Sequence, residues 1–199
     1  MREGKKEGVL FVFSGPSGVG KGTLKAMLFD EFAGQVAYSV SATTREPREG
    51  EVDGKDYFFI SRQEFERRVE NNDFLEHAQF AGNEYGTPRS YVMQLLSSGV
   101  NVLLEIEVQG ALQVRKSMPQ SVSVFILPPS FEELEHRLRG RGTETEDTIR
   151  RRLETARREL TYAPTYDYQI VNGGDIHAAY AQLRGIFMEK TGQKAATSA

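Results

Sequence analysis

Residues 9–23 read VLFVFSGPSGVGKGT. Val9 to Phe13 form a short continuous apolar run rich in β-formers, which reads as a buried, parallel strand. From Leu24, apolar residues recur at Met27, Leu28 and Phe32, a helical spacing. Between them lies a glycine-rich loop of nine residues: Gly15, Pro16, Ser17, Gly18, Val19, Gly20, Lys21, Gly22 and Thr23. A strand, a glycine loop and a helix start together make a phosphate cradle. The glycines let main-chain amides wrap an anion, the helix N-terminus points its dipole at it, and Lys21 adds a point charge. The usual pattern places a hydroxyl directly after the lysine, where it reaches magnesium. Here that slot is Gly22, and the hydroxyl arrives one residue late on Thr23. The amides and Lys21 still suffice for phosphate. Magnesium is expected to keep its waters and lean on the nucleotide's phosphates rather than on the protein.

The rest of the composition narrows the field. A chain of 199 residues predicts one domain, with room for inserted lobes. Apolar residues make up 39%, in the globular range. The net charge of −3 argues against nucleic acid or an anionic membrane as partner. No cysteine is present, which removes disulfides, thiolate catalysis and cysteine–zinc sites and fits the cytoplasm. The start, MREGKKEG, has no apolar segment of a secretory signal, and no apolar run approaches the ~18 residues that span a bilayer. His77, His136 and His177 lie on different elements and read as structural or surface residues.

Along the chain, VAYSVSATT and KDYFFI read as short β pieces around a charged turn that contains Asp53-Gly54. Ser61 with Glu64 forms a capping box, predicting a helix from Arg62 to about Asn71. FLEHAQF, GNEYG and Thr87-Pro88 predict a strand, a turn and a helix with Pro88 at its first position. Val100 to Val108 and residues 122 to 127 (VSVFIL) read as buried strands. Two more capping boxes, Ser130 with Glu133 and Thr143 with Glu146, open helices that Gly140 and Pro164 end. YQIV (168–171) reads as a last strand, followed by a helix capped by Asp175. Strands alternating with helices imply a mostly parallel α/β sheet.

In SVSATTREPREGEVDGKDYFF, Ser41, Arg45, Arg48 and Tyr57 crowd together, and Pro47 stiffens the segment. Two guanidinium groups three residues apart can grip one phosphate, or can simply decorate a solvated hairpin. Local spacing leaves both readings open.

Several separate motifs in order decide between them. GPSGVGKGT, the segment just quoted, FLEHAQFAGNEYGTPR, LLEIEVQGA, RGTETEDTIRRRL and the late IVN resemble the guanylate kinases, from about residue 8 to residue 189. The resemblance implies a three-layer P-loop kinase fold with a mostly parallel central sheet. The core would be residues 8–37 and 89–189, with an inserted GMP-binding lobe at about 38–88 and a lid at about 139–158. Residues 1–7 would be an extension and 190–199 a tail. It implies phosphoryl transfer from ATP to GMP, with ATP as co-substrate and Mg2+ held mainly by phosphates and water. Arg45, Arg48, Tyr57 and Tyr85 match positions that hold the GMP phosphate. Ser41, Glu76, Thr87 and Glu105 match positions that read guanine. Arg141 and Arg152 match lid arginines over ATP, and Asn172 matches a residue near adenine. With Lys21 and Arg45, the two lid arginines form the expected catalytic set.

The residue types suit that chemistry. Guanine offers N1–H and an N2 amino group side by side, and one carboxylate such as Glu76 can accept both. Adenine would leave that buried charge unpaired, a selectivity of roughly 10⁴-fold. Ser41 and Thr87 can donate to O6. One departure stands in LLEIEVQGA, where Glu105 and Glu107 replace the aspartates of many relatives. Despite the extra methylene, Glu105 is expected to reach guanine or a water on it, with Glu107 instead organising magnesium's water or Lys21. Two rivals remain: a kinase for another acceptor on the same scaffold, and a phosphopeptide-binding module. The intact loop, the lid arginines and the absence of a further interaction domain in 199 residues count against the second.

Overall fold

The computed structural model describes residues 6–140 and 145–193. Its central sheet holds five strands, all parallel, in the order β2-β7-β1-β8-β9. These are β1 (Leu10–Ser14), β2 (Val36–Tyr38), β7 (Asn101–Glu105), β8 (Val122–Leu127) and β9 (Tyr168–Val171). The central strand, β1, is buried along its whole length because it faces a helical layer on each side. Phe11 and Phe13 point into one cluster with Leu24 and Leu28 of α1 (Lys21–Glu31) and Leu183 and Phe187 of α7 (Ile176–Thr191). Leu10 and Val12 point into another, with Val92 and Leu96 of α3 (Arg89–Ser97) and Ala111 and Val114 of α4 (Val108–Ser117). The result is a three-layer α/β/α fold.

A second, four-stranded sheet is inserted between β2 and α3, in the order β4-β3-β6-β5. Its strands are β3 (Ala42–Thr43), β4 (Phe58–Phe59), β5 (Phe74–Phe80) and β6 (Asn83–Pro88). α2 (Arg62–Glu70) packs Phe65 against Phe74 and Ala42 in a small core of its own. Beyond β8 come α5 (Phe131–Arg139) and α6 (Glu146–Leu160), joined through Leu134, Leu138 and Ala156. No helix among the described residues is long and apolar enough to cross a membrane.

The local signals hold where capping is local. Ser61 and Ser130 accept from the amides of Glu64 and Glu133, and Asp175 accepts from His177. Three expectations need correction. The run 100–108 is not one strand: β7 ends at Glu105, and Val108 already opens α4. GNEYG is mostly strand, since the turn is only Ala81-Gly82, both at positive φ, and Asn83 already pairs with Phe80. Pro88 is the residue before α3, not its first helical position. Of the third capping box, Thr143 lies outside the described residues; α6 is capped by Thr145, whose hydroxyl accepts from Thr148.

Candidate active site

The loop between β1 and α1 is braced from behind. Asn172, just past β9, donates its side-chain amide to the Val19 carbonyl at 2.9 Å. Its backbone is fixed in turn, its N–H donating to Leu127 and its carbonyl accepting from Arg137. Gly20 sits at φ 94° with Asn172 Nδ2 2.4 Å from where a Cβ would stand, so only glycine fits. Asn172 is 6% exposed, and its amide N–H holds the loop. Gly22 differs from the other loop glycines. It is part of α1, has no positive φ, and has open space where a side chain would be. Its conformational freedom is not used.

Lys21 donates to the carbonyls of Gly15 at 2.5 Å and Pro16 at 3.0 Å, folding back on its own loop. Burial draws its ammonium below the usual lysine range, against the opposing pull of Glu105, Glu159 and Glu107. Arg152 of α6 donates to the Ser17 hydroxyl at 3.0 Å, so α6 lays a guanidinium across the loop. Thr23 is exposed. Arg141 lies outside the described residues.

Opposite the loop, Arg45 donates to Glu51 at 2.8 Å and lies over the rings of Tyr57 and Phe59. Tyr85 meets Tyr57 edge-on, 6.0 Å between centroids. Glu51 also accepts from the Arg48 amide at 2.7 Å. One carboxylate thus bridges the Arg45 guanidinium and the Arg48 amide, and the Arg45 contact holds that carboxyl below the usual range. The Arg48 side chain itself faces solvent.

Between these two groups lies a cleft of about 440 Å³, lined by Lys25, Tyr38, Ser41, Tyr57, Thr87 and Glu105. A neighbouring hollow of about 270 Å³ is lined by Ser41, Glu76, Tyr85, Glu105, Glu107 and Gly110. Glu76, on β5, is 8% exposed. Thr87, opposite it on β6, donates to its Oε1 at 2.5 Å. Oε2 stands 2.9 Å from where a Cβ on Gly110 would be. Burial pushes the Glu76 carboxyl above the usual range, the Thr87 bond opposing it. The Thr87 hydroxyl has one proton and gives it to Glu76, while Ser41, Tyr57 and Tyr85 bring further hydroxyls to the hollow.

Glu105 lines both hollows and has a partner that the sequence did not reveal. Its carboxylate is held in an ion pair by Lys25, one turn beyond Lys21 on α1. Glu107, not Glu105, figures among the charges acting on Glu76. Sequence reasoning missed Lys25, Glu51 and Gly110. Only Lys25 had a readable signal, its i,i+4 relation to Lys21 on one helix face.

Comparison with known proteins agrees with the geometry. The family described as "Guanylate kinase" matches residues 7–190. A guanylate kinase of Streptococcus thermophilus is 55% identical over 167 residues, 84% of this chain and 80% of its own length. One from Bacillus cereus is 51% identical over 181 residues, covering 91% and 88%. Among solved structures, guanylate kinase from Anaplasma phagocytophilum superposes with a TM-score of 0.68 at 37% identity, over 96% of this chain and 89% of that one.

Proposed function

The chain belongs to the guanylate kinase family and phosphorylates GMP at the expense of ATP, and we propose how its residues divide that work. The loop Gly15 to Thr23, with Asn172 behind it, holds the ATP phosphates. Arg45, Arg48, Tyr57 and Tyr85 hold the phosphate of GMP, which displaces Glu51. Ser41, Glu76 and Thr87 surround the guanine, with Glu107 beside them and Glu105 joining only on release from Lys25. Residues 38–88 and 139–158 act as the acceptor lobe and the lid. Both substrates are intracellular nucleotides, which supports a cytoplasmic location.

The observation that carries this reading is Glu76: a buried carboxylate at a hollow, held by Thr87 and given room by the missing side chain of Gly110. A purine with N1–H beside an N2 amino group satisfies it; a purine without them leaves it unpaired.

The reaction needs no strong base. A GMP phosphate oxygen is already an anionic nucleophile; it forms a bond to the γ-phosphorus as the bond to the ADP oxygen breaks. The obstacle is bringing two polyanions into line, so the protein contributes position and positive charge. Lys21, Arg45, Arg141 and Arg152 are the cations assigned to that task. Magnesium, when bound, neutralises charge on the ATP phosphates. The open space at Gly22 fits a hydrated ion, and Glu105 and Glu107 near Lys21 can accept hydrogen bonds from its waters. Closure of lobe and lid excludes water as the competing acceptor.

The test is GDP formation from ATP with GMP, set beside AMP, CMP and UMP, in wild type and Glu76→Gln. GMP-selective turnover that the substitution severely impairs is the expected result. Equal use of AMP, or rapid ATP hydrolysis without GMP, would contradict the assignment.

A further inference from the structure

β5 is the outer strand of the inserted sheet, so one edge of its main chain has no strand to pair with among the described residues. A side chain of the core meets that edge. Gln113 of α4 accepts from the His77 N–H through Oε1 and donates to the His77 carbonyl through Nε2, each at 3.1 Å. One side-chain amide thus does for His77 what a neighbouring strand would do. α4 lies between β7 and β8 of the central sheet, whereas β5 belongs to the inserted one, so the two bonds join the two sheets' layers. Nothing in the mechanism above uses Gln113.

Gly110 and Gln113 are three apart on α4 and share a face, and Glu76 and His77 are adjacent on β5. The helix therefore meets the strand at two neighbouring points. Gly110 makes room for the Glu76 carboxylate, and Gln113 fixes the main chain one residue on. The register of β5 against β6 is irregular between Phe74 and Glu76. Such a bulge disrupts the ladder locally, and the bonds from Gln113 supply a restraint that the ladder lacks there. We propose that Gln113 is a positioning residue for guanine recognition: by clamping the main chain of His77, it sets where the Glu76 carboxylate stands against the core. The proposal rests on the reading of Glu76 as guanine's partner.

Removing the amide separates position from stability. His77 and Gln113 border a hollow of about 350 Å³ whose wall includes Arg89 and Lys116. Water entering there can replace both bonds to His77, so the fold loses little. Water does not hold β5 at a fixed distance from α4, however, and Glu76 moves with its strand. Guanine places two donors, N1–H and the N2 amino group, on one carboxylate, and this paired contact tolerates displacement least. Hypoxanthine has N1–H and no 2-amino group, so it has less to lose. The donor loop and Arg152 lie on other elements, and ATP binding is left as it was.

The experiment is steady-state kinetics of Gln113→Met, which keeps the length of the side chain without its amide. GMP and IMP serve as acceptors, and the substitution is made alone and together with Glu76→Gln. KM for GMP is expected to rise about tenfold, with kcat and KM for ATP within about twofold of wild type. The preference for GMP over IMP should narrow. In the Glu76→Gln background the same exchange should add less than about twofold, because the residue it acts through is already changed. An unchanged KM for GMP, an equal rise in KM for ATP, or an undiminished effect in the Glu76→Gln background overturns the proposal. If the variant does not fold, amide hydrogen exchange of the wild type decides instead. The His77 amide should be protected, and more strongly with GMP bound; exchange at the rate of an unpaired amide, or no gain with GMP, overturns the proposal equally. Should Glu76→Gln alone leave GMP kinetics intact, the guanine reading itself fails, so the two failures are distinguishable.

Discussion

Thr87 and Glu76 face one another across adjacent antiparallel strands, joined by a buried hydrogen bond of 2.5 Å. The bond fixes one carboxylate oxygen and leaves the other directed past Gly110. A carboxylate is thereby kept buried beside a hollow for a ligand to complete.

Glu76→Gln replaces an acceptor pair with an amide whose N–H₂ faces guanine's own donors. The expected loss in kcat/KM for GMP is roughly 10²- to 10⁴-fold. Because burial raises the Glu76 carboxyl above its usual range, GMP binding should fail at a higher pH than an ordinary glutamate would dictate. As pH drops through that raised value, the carboxylate is lost and KM for GMP climbs; the glutamine variant lacks this limb. Stability moves the other way. A raised carboxyl favours the fold at low pH and disfavours it once ionised, so the variant should melt higher than wild type on the alkaline side. A pH series of initial rates and melting curves checks both.

Gly110→Ala offers a sharper separation. A glycine inside a helix costs about 1 kcal/mol relative to alanine, so the exchange should favour α4. Yet the new methyl would stand 2.9 Å from Glu76 Oε2, and Thr87 prevents the carboxylate from yielding freely. KM for GMP should rise about tenfold or more, as for a disturbed charged hydrogen bond, with KM for ATP unchanged. Wild-type GMP kinetics in this variant would show that the contact has no bearing on acceptor binding.

The donor loop separates two glycines that look alike in sequence. Gly20→Ala meets both a positive φ of 94° and the Asn172 amide, and costs about 1–2 kcal/mol from backbone strain alone. ATP affinity should fall by an order of magnitude or more. Gly22→Ser enters open space within α1 and gains a few tenths of a kcal/mol in helix propensity. Turnover should persist, and the added hydroxyl should lower the magnesium concentration needed for half-maximal rate. Measuring ATP and magnesium dependence of both variants decides the matter.

What the sequence revealed, and what it hid, follows from range. Strands 122–127 and 168–171 were legible because each is an unbroken β-forming run, and the Ser61, Ser130 and Asp175 caps because their partners lie two or three residues away. α4 was hidden. Glu107 gives it no side-chain cap, Gly110 weakens its pattern, and the apolar run of β7 continues straight into it. Gly110 is there for Glu76, a residue on another element, and no local rule reports that. Lys25 and Glu105 are 80 positions apart, and Arg152 reaches Ser17 only through the packing of α6. The resemblance supplied the acceptor residues as a set and pointed to Asn172, but not to its bond to Val19 behind the loop.

The two glutamates after β7 give the last test. Glu105 is held by Lys25, and it must leave that partner to meet guanine. Glu107 needs no such release, and its charge already reaches Glu76. Like charges so placed favour a ligand that presents several donors at once, as guanine does with N1–H and N2. Glu107→Gln is therefore expected to raise KM for GMP more than Glu105→Gln does. Lys25→Met should leave stability within about 1 kcal/mol, since the pair it breaks is partly exposed. By freeing Glu105 to turn, it should bring the effect of Glu105→Gln closer to that of Glu107→Gln. Steady-state GMP kinetics on the three single variants and the Lys25/Glu105 double variant would show this coupling; strict additivity, with Glu105→Gln the more damaging, would return the guanine contact to Glu105.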